Sequence, residues 1–290
     1  MPDALRTATP DVRLPPTELI HADVARALAE DIGAGDVTAA LLPAEAMAEA
    51  RIVCREAAVI AGAAWAEACF HQIDPTTHVQ WHVRDGERVD TDALVCTING
   101  KARALVTAER TAINFLQTLS ATATCAARYS AVLAGTHTRM LDTRKTIPGL
   151  RAAQKYAVRC GGAMNHRAGL YDAYLIKENH IAAAGGIAAA VHAARSQHPE
   201  LLLEVEVETM DELDQAIAAG ADRIMLDEFS PDAMRAAAAH TAGRVPLEVS
   251  GSIGPDRLAA IAATGVDFIS AGALTKHIQA IDLSMRLRLV

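Results

Sequence analysis

Apolar residues recur along the chain in two textures. Before about residue 118 they mix helical and strand spacings. From Thr138 onward a strand–helix unit repeats. Residues 1 to about 16 are Pro-rich and predicted to be frayed or draped on a neighbour. Thr17 is placed to cap a helix carrying Leu19, Ile20, Val24 and Leu28, whose spacings share one face, and Gly33-Ala34-Gly35 stops it. Shorter alternation predicts strands over 50–55, 59–61, 79–84 and 93–98, a helix over 63–71 and a hairpin-type turn at Asp85-Gly86. A helix over 107–119 buries Ala108, Ala112, Phe115, Leu116 and Leu119. Together these read as a small mixed α/β domain.

In the second texture the predicted strands are 139–141, 171–176, 201–208, 223–226, 247–249 and 268–269. Helices over 210–219, 231–239 and 255–263 lie among them. Pro231 and Pro255 suit first helical turns, and Gly220, Gly243 and Gly265 suit helix ends. Nearly all-apolar strands alternating with helices imply a parallel sheet covered on its outer face, and so regular a repeat implies a closed or nearly closed barrel.

Every predicted strand ends in groups capable of chemistry. The ends are Asp142/Arg144/Lys145, Lys177/Glu178/Asn179, Glu206/Glu208, Asp227/Glu228, Ser250-Gly251-Ser252 and Ser270-Ala271-Gly272. In an α/β barrel these ends converge on one mouth. Arg144, Lys145 and Lys177 would bring fixed positive charge there, an anion site, whereas the basic helix over 151–159 reads as a solvated face. Glu204, Glu206 and Glu208 alternate with valines, which puts them on one face of a strand. That face is either the barrel interior, where the acids need cations or a metal, or a wet edge. Asp227 is expected to join Glu206, and two carboxylates suit Mg²⁺-bound diphosphate or sugar hydroxyls. The two small-residue turns after the last strands suit a phosphate. Arg167 is a further fork-shaped donor; its neighbour His166 either orients a ligand or is structural. Arg110, on spacing alone, reads as an exposed or salt-bridged arginine.

Charge sharpens this picture. The chain carries a net charge of −8, so the cations between Arg139 and Lys177 run against their background. Net acidity, with no aromatics interleaved among those cations, argues against nucleic-acid binding. Five cysteines without a C-x-x-C spacing predict a reduced, cytoplasmic setting. The start shows no signal-peptide pattern, and the longest apolar stretch, 181–194, is too short for a bilayer. No paired histidines suggest zinc, and no G-x-S-x-G turn suggests a serine hydrolase.

Several segments together resemble quinolinate phosphoribosyltransferase. They are Glu30-Asp31, Gly35-Asp36-Val37-Thr38, Glu109-Arg110-Thr111, Asn114-Phe115-Leu116, Asp142-Thr143-Arg144-Lys145-Thr146, His166-Arg167, Lys177-Glu178-Asn179-His180, Glu204-Val205-Glu206-Val207, Met225-Leu226-Asp227, Ser250-Gly251 and Gly272-Ala273-Leu274-Thr275. The resemblance implies an α/β protein with an N-terminal α/β sandwich over 1–118, joined by a C-terminal tail over 275–290. An incomplete seven-stranded α/β barrel over 119–274 would carry the site. The implied enzyme is a glycosyltransferase of NAD biosynthesis. It joins quinolinate to phosphoribosyl pyrophosphate and yields nicotinate mononucleotide, pyrophosphate and CO₂. The family works as a homodimer, with a hexamer as the larger assembly, and Arg110 is implied to enter the partner's site, which reverses its bland reading.

The implied substrate-binding set is Arg110, Thr143, Arg144, Lys145, His166, Arg167, Lys177, Glu206, Asp227, Ser250, Gly251, Ser252, Ala271, Gly272 and Ala273. Lys145, Glu206 and Asp227 are implied to be catalytic. Mg²⁺ would meet Glu206 and Asp227 directly or as Mg-diphosphate. Three departures stand out: Ser120-Ala121-Thr122 in place of Ser-Gly-Ile, Glu228 where Asn is usual, and Ser252 where Gly or Asn is common. The rivals are a molybdenum-transport-associated relative of the same fold and a non-enzymatic phosphate- or nucleotide-sensing barrel. The intact cation set argues against the first.

Overall fold

The computed structural model describes residues 11–290. These fall into two compact units: one of Asp11–Ala127, Ile147–Gly162 and His277–Val290, the other of Arg128–Thr146 and Ala163–Lys276. The reading of the first ten residues lies outside the described ones.

In the first unit the strands are β1 (Met47–Cys54), β2 (Ala58–Val59), β3 (His78–Trp81), β4 (Arg88–Val89) and β5 (Ala93–Lys101). Period-two burial along β1 turns Ala48, Ala50, Ile52 and Cys54 inward. The helix Thr17–Ile32 covers that core with Ile20, Val24 and Leu28, as the spacing predicts, whereas Leu19, expected on the same face, is exposed. Its cap differs: Pro16 occupies the N-cap and Thr17 is the first helical residue, so no side chain closes that end. Asp85-Gly86 forms a turn, but β3 and β4 pair with β5 and β2 and not with each other. Its Asp85 carboxylate instead accepts from Gly62 N (3.0 Å) and Ala63 N (3.2 Å) at the start of the helix Ala63–Ile73.

The helix expected over 107–119 runs Ala102–Val132. That stretch holds no Gly or Pro to stop it, and the first compact unit follows it as far as Ala127. The helix Arg151–Cys160 also departs from expectation. Ala153, Gln154, Lys155, Tyr156, Ala157, Val158 and Cys160 are buried, so it is not a solvated basic face. The glycine that follows this helix allows a close approach: a Cβ on Gly161 would sit 2.3 Å from Ala123 O.

The second unit is a parallel sheet of β6 (Arg139–Leu141), β7 (Ala173–Ile176), β8 (Leu202–Val207), β9 (Arg223–Leu226), β10 (Leu247–Gly251) and β11 (Phe268–Ala271), in the order β6-β11-β10-β9-β8-β7. The first and last of these in the chain, apart from β7 at one end, close on each other through β11·β6 pairing. Met164 adds a seventh position by a parallel bridge to Leu141. The ladder is open only between Met164 and β7, which is the incomplete seven-stranded α/β barrel. Its repeat rests on a local device. Gly220 ends a helix at φ 87°, and the nearby Asp222 carboxylate accepts Leu203 N (2.8 Å); after Gly265, Asp267 does the same for Leu247 N (2.9 Å). Pro231 and Pro255 do begin their helices, whereas the helix ahead of Gly243 already turns left-handed at Ala242. Last, β12 (Leu283–Leu289) returns to the first unit and pairs antiparallel with β1, completing the order β12-β1-β5-β3. Among the described residues no helix is long and apolar enough to cross a membrane.

Candidate active site

A parallel barrel delivers the C-terminal ends of its strands to one rim. There a cavity of about 350 Å³ opens. Thr143, Arg144 and Lys145 reach it from beyond β6, His166 and Arg167 from beyond Met164, and Lys177 from beyond β7. The facing wall holds Glu206 of β8, Asp227 after β9, Ser250 and Gly251 of β10, and Ser270 of β11. Leu175, and Met225 of the Met225-Leu226-Asp227 segment, supply apolar wall. Ser252, Ala271, Gly272 and Ala273 do not line the cavity. Gly272 nonetheless shapes it: a Cβ there would lie 2.8 Å from Lys145 Cδ, and Thr275 Oγ1 donates to Lys145 O (2.8 Å). Arg110 is exposed on its helix in the other unit and is not a lining residue.

Glu204 and Glu206 of β8, with Glu208 just past its end, follow the period of two and descend from rim to interior. Glu208 is exposed, Glu206 lies at the mouth and Glu204 is fully buried. Each of the inner two faces a basic side chain at ion-pair distance. Lys177 Nζ lies 2.5 Å from Glu206 Oε2. His166 Nε2 lies 2.8 Å from Glu204 Oε2 and 3.6 Å from Glu248 Oε1. The wet-edge alternative therefore fails. Across the mouth, burial and the neighbouring Arg144 charge lower the pKa of Arg167 from its ordinary value. Glu208 is raised, by slight desolvation and then by Glu178, Glu212, Asp227 and Glu206 around it. Cations thus crowd one wall and acids the other.

Below the mouth sits a charged interior that sequence reasoning largely missed. Arg223 Nη1 donates to Glu248 Oε2 (2.9 Å), and its guanidinium lies 4.6 Å from the Phe268 ring centroid. Ions in such a place cost several kcal/mol each before partners offset them. Burial opposes charging Glu204, but His166 and Arg223 hold its pKa below the ordinary value; Glu248 is pushed up to about 7 by burial and by the charge of Glu204. Burial pushes the His166 ring down, and Glu248 and Glu204 more than reverse that. Arg167 N donates to His166 Nδ1 (2.7 Å), so the proton drawn by the carboxylates resides on Nε2. Asp142, expected at the mouth, is instead buried beneath it. It accepts from His166 N (2.8 Å) and from Asn165 Nδ2 (2.7 Å). The missed signal was a charged residue opening or interrupting an apolar strand: Arg223 at the start of β9 and Glu248 within β10.

A second cavity, of about 360 Å³, lies in the first unit. Its charged lining is Asp23, Glu30 and Asp31 against Arg26. That balance does not suit a dianion. The barrel cavity does, with four cations at one wall and Ser/Gly turns at another.

Comparison with known proteins agrees with this geometry. A family model described as quinolinate phosphoribosyl transferase, C-terminal domain, matches residues 122–286, and its N-terminal counterpart matches 36–120. A probable nicotinate-nucleotide pyrophosphorylase (carboxylating) of Bacillus subtilis (strain 168) is 42% identical over 257 residues, covering 88% of this chain and 89% of that one. One from Synechocystis sp. is 42% identical over 278 residues, covering 94% of each. The solved nicotinate-nucleotide pyrophosphorylase of Francisella tularensis superposes with a TM-score of 0.94 at 47% identity, covering 97% of this chain and 100% of that one. The chain, matched by both domain models along nearly its whole length, belongs to the quinolinate phosphoribosyltransferase family.

Proposed function

We propose that the chain transfers phosphoribosyl from phosphoribosyl pyrophosphate to quinolinate with loss of CO₂, giving nicotinate mononucleotide and diphosphate for NAD biosynthesis. The observation that carries this reading is the meeting of Arg144, Lys145, Arg167 and Lys177 with Glu206 and Asp227 in one cavity. Quinolinate is a dianion, and Arg144, Lys145 and Arg167 offer its two carboxylates fork and point donors. Lys177, already against Glu206, joins the cation wall to the acid wall.

With the acid so held, the pyridine nitrogen attacks the anomeric carbon of the ribose as its bond to diphosphate breaks. Glu206 and Asp227 stabilise the positive charge on the sugar and accept hydrogen bonds from its hydroxyls, while the cations stabilise the departing diphosphate. Ser250, Gly251 and Ser270, with the adjoining Ser252 and Ala271–Gly272–Ala273 backbone, hold the 5′-phosphate. The C–C bond to the carboxylate beside the ring nitrogen then breaks. Its electron pair is stabilised by the positive nitrogen until a proton replaces CO₂.

Hard carboxylate oxygens are the donors that Mg²⁺ takes, and Glu206 and Asp227 provide them. The close Lys177 partner of Glu206 favours contact through Mg-diphosphate over direct ligation of a resident ion. When bound, the ion neutralises charge on the leaving group. In this reading the chain works as a dimer in the cytoplasm, with Arg110 reaching the partner's cavity. Support for the sharing is the exposure of Arg110 away from the lining set of its own chain; support for a reducing compartment is that all five cysteines are free.

The test is incubation with quinolinate, phosphoribosyl pyrophosphate and Mg²⁺. Nicotinate mononucleotide and CO₂ are expected in equal amounts. Nucleotide without CO₂, or neither product, overturns the reading.

A further inference from the structure

The proposed reaction uses no group below the rim, yet the barrel interior there is charged. We propose that Glu204, Glu248 and Arg223 are positioning residues that fix the quinolinate grip, acting through the His166 ring on Arg167. The inference rests on the reaction proposed above.

Depth separates these three from the substrate. Glu204 and Glu248 have no exposed surface and Arg223 has 7%, and none lines the cavity, whereas Glu206, two residues further along β8, does. Their contacts run in one direction. Arg223 holds Glu248 at 2.9 Å; Glu248 and Glu204 both face His166 Nε2, at 3.6 and 2.8 Å. The other side of the ring, Nδ1, accepts the Arg167 amide at 2.7 Å, and the His166 amide is tied to Asp142 at 2.8 Å. The imidazole is therefore held on both edges and at its backbone, and the Arg167 backbone hangs on it. Above that point the Arg167 side chain makes a long contact from Nη1 to Ala173 O, 3.4 Å, and feels the charges of Arg144, Asp172 and Glu204, so its aim is sensitive to where the ring sits. A carboxylate clamp tolerates little rotation of the guanidinium before one of its two hydrogen bonds is lost.

A purely space-filling role does not account for this set, because apolar side chains ordinarily fill such interiors without desolvating ions. Nor does a metal centre. His166, Glu204 and Glu248 offer donor atoms within 4.8 Å of one another, but the Arg223 guanidinium already supplies the countercharge to Glu248.

The test is Glu204→Gln, which keeps the shape and removes the charge, in the full-length protein with folding checked by circular dichroism. The KM for quinolinate is expected to rise roughly tenfold or more, as when other outer partners of a site are removed. The KM for phosphoribosyl pyrophosphate should stay within about twofold, since Glu204 contacts His166 and through it Arg167, whereas Glu206 is held by Lys177. In an Arg167→Ala background Glu204→Gln should add no further loss, because it acts through the residue already removed. An unchanged quinolinate KM, a parallel rise in both KM values, or full additivity with Arg167→Ala overturns the proposal. So does a stoichiometric metal ion, found by elemental analysis of the wild type and lost in Glu204→Gln. Should Glu204→Gln fail to fold, Glu248→Gln is read by the same criteria. A wild type that releases no CO₂ sinks the reaction reading, whereas a competent wild type beside an unaffected variant sinks only the positioning.

Discussion

The two units bury charge in different ways. In the first, β1 turns Ala48, Ala50, Ile52 and Cys54 against Trp65, Leu105 and Leu116, all nearly without exposed surface. It too holds charged groups: half-buried Asp85 accepts from two amides and the Tyr156 hydroxyl, Asp23 accepts from Trp65 Nε1 and from the exposed Arg26, and Lys155 is buried. In the second, the strands that would ordinarily point apolar groups inward carry Glu204, Arg223 and Glu248. An apolar core gives stability with little direction, since dispersion and burial are not directional. Ionic contacts cost desolvation and give direction. The unit that must aim cations at a ligand is the one whose interior buries ions facing one another.

The sharpest way to break that contrast is to truncate each interior. Ile52→Ala removes a fully buried side chain from β1; it should destabilise by roughly 2–5 kcal/mol, and the folded fraction should keep its KM for quinolinate. Denaturant melts combined with steady-state kinetics check both halves. A large KM change would mean that the first unit's core is not merely structural. On the other side, Arg167→Ala and Lys145→Ala should each weaken quinolinate binding by about 2–4 kcal/mol while shifting the melting temperature little, as expected when one partner of a desolvated charge pair is removed. Unaltered affinity by calorimetry in both variants would remove them from the grip.

Arg110 tests the contrast from within, because it is the first unit's proposed contribution to chemistry. Arg110→Ala and Lys145→Ala homodimers should each be nearly inactive. After subunit exchange half the dimers are hybrids with one intact site of two, so recovery should approach about a quarter of wild-type sites. Exchange verified by mass, with no recovery, would place Arg110 and Lys145 in the site of the same chain or Arg110 in none.

The barrel was readable where one periodicity ruled. Arg139–Leu141, Arg223–Leu226 and Met210–Ala219 fall where apolar runs and helix signals put them. The rim followed, because strand ends converge in any parallel barrel, and Lys145, Lys177, Glu206 and Asp227 do meet at one cavity. What stayed hidden was decided by partners distant in sequence. Lys155 is buried although its local pattern reads as solvated. The Met164 position consists of a single bridge and leaves no periodicity to detect. Glu248 looked like one charge inside an apolar run, and only the fold brings Arg223 and His166 to it. The departure at Glu228 has a backbone consequence the sequence did not reveal: its φ is 54°, the left-handed region where the Asn usual in the family is more at ease.

The smallest expected effect concerns pH, and it isolates the ionic interior. Glu248 is raised from 4.5 to about 7, first by burial and then by Glu204, with His166 and Arg223 pulling the other way. The folded protein therefore holds this proton more tightly than the unfolded chain does. The stability it contributes is fully present below the unfolded value and is lost as pH climbs through about 7. Glu204, lowered in the fold, has its loss on the acid side of its ordinary value and does not mask this window. Asp85 in the first unit is raised as well, by burial that outweighs its donors, but it is common to wild type and variant. Melting temperature followed from about pH 5 to about pH 8 should thus fall less steeply in Glu248→Gln than in wild type, the difference being the linkage of the Glu248–His166 pair, since Glu248 is also what most raises the His166 ring. Parallel curves would mean that Glu248 ionises in the fold as it does in the open chain, and that the barrel interior is no less forgiving of charge than the sandwich.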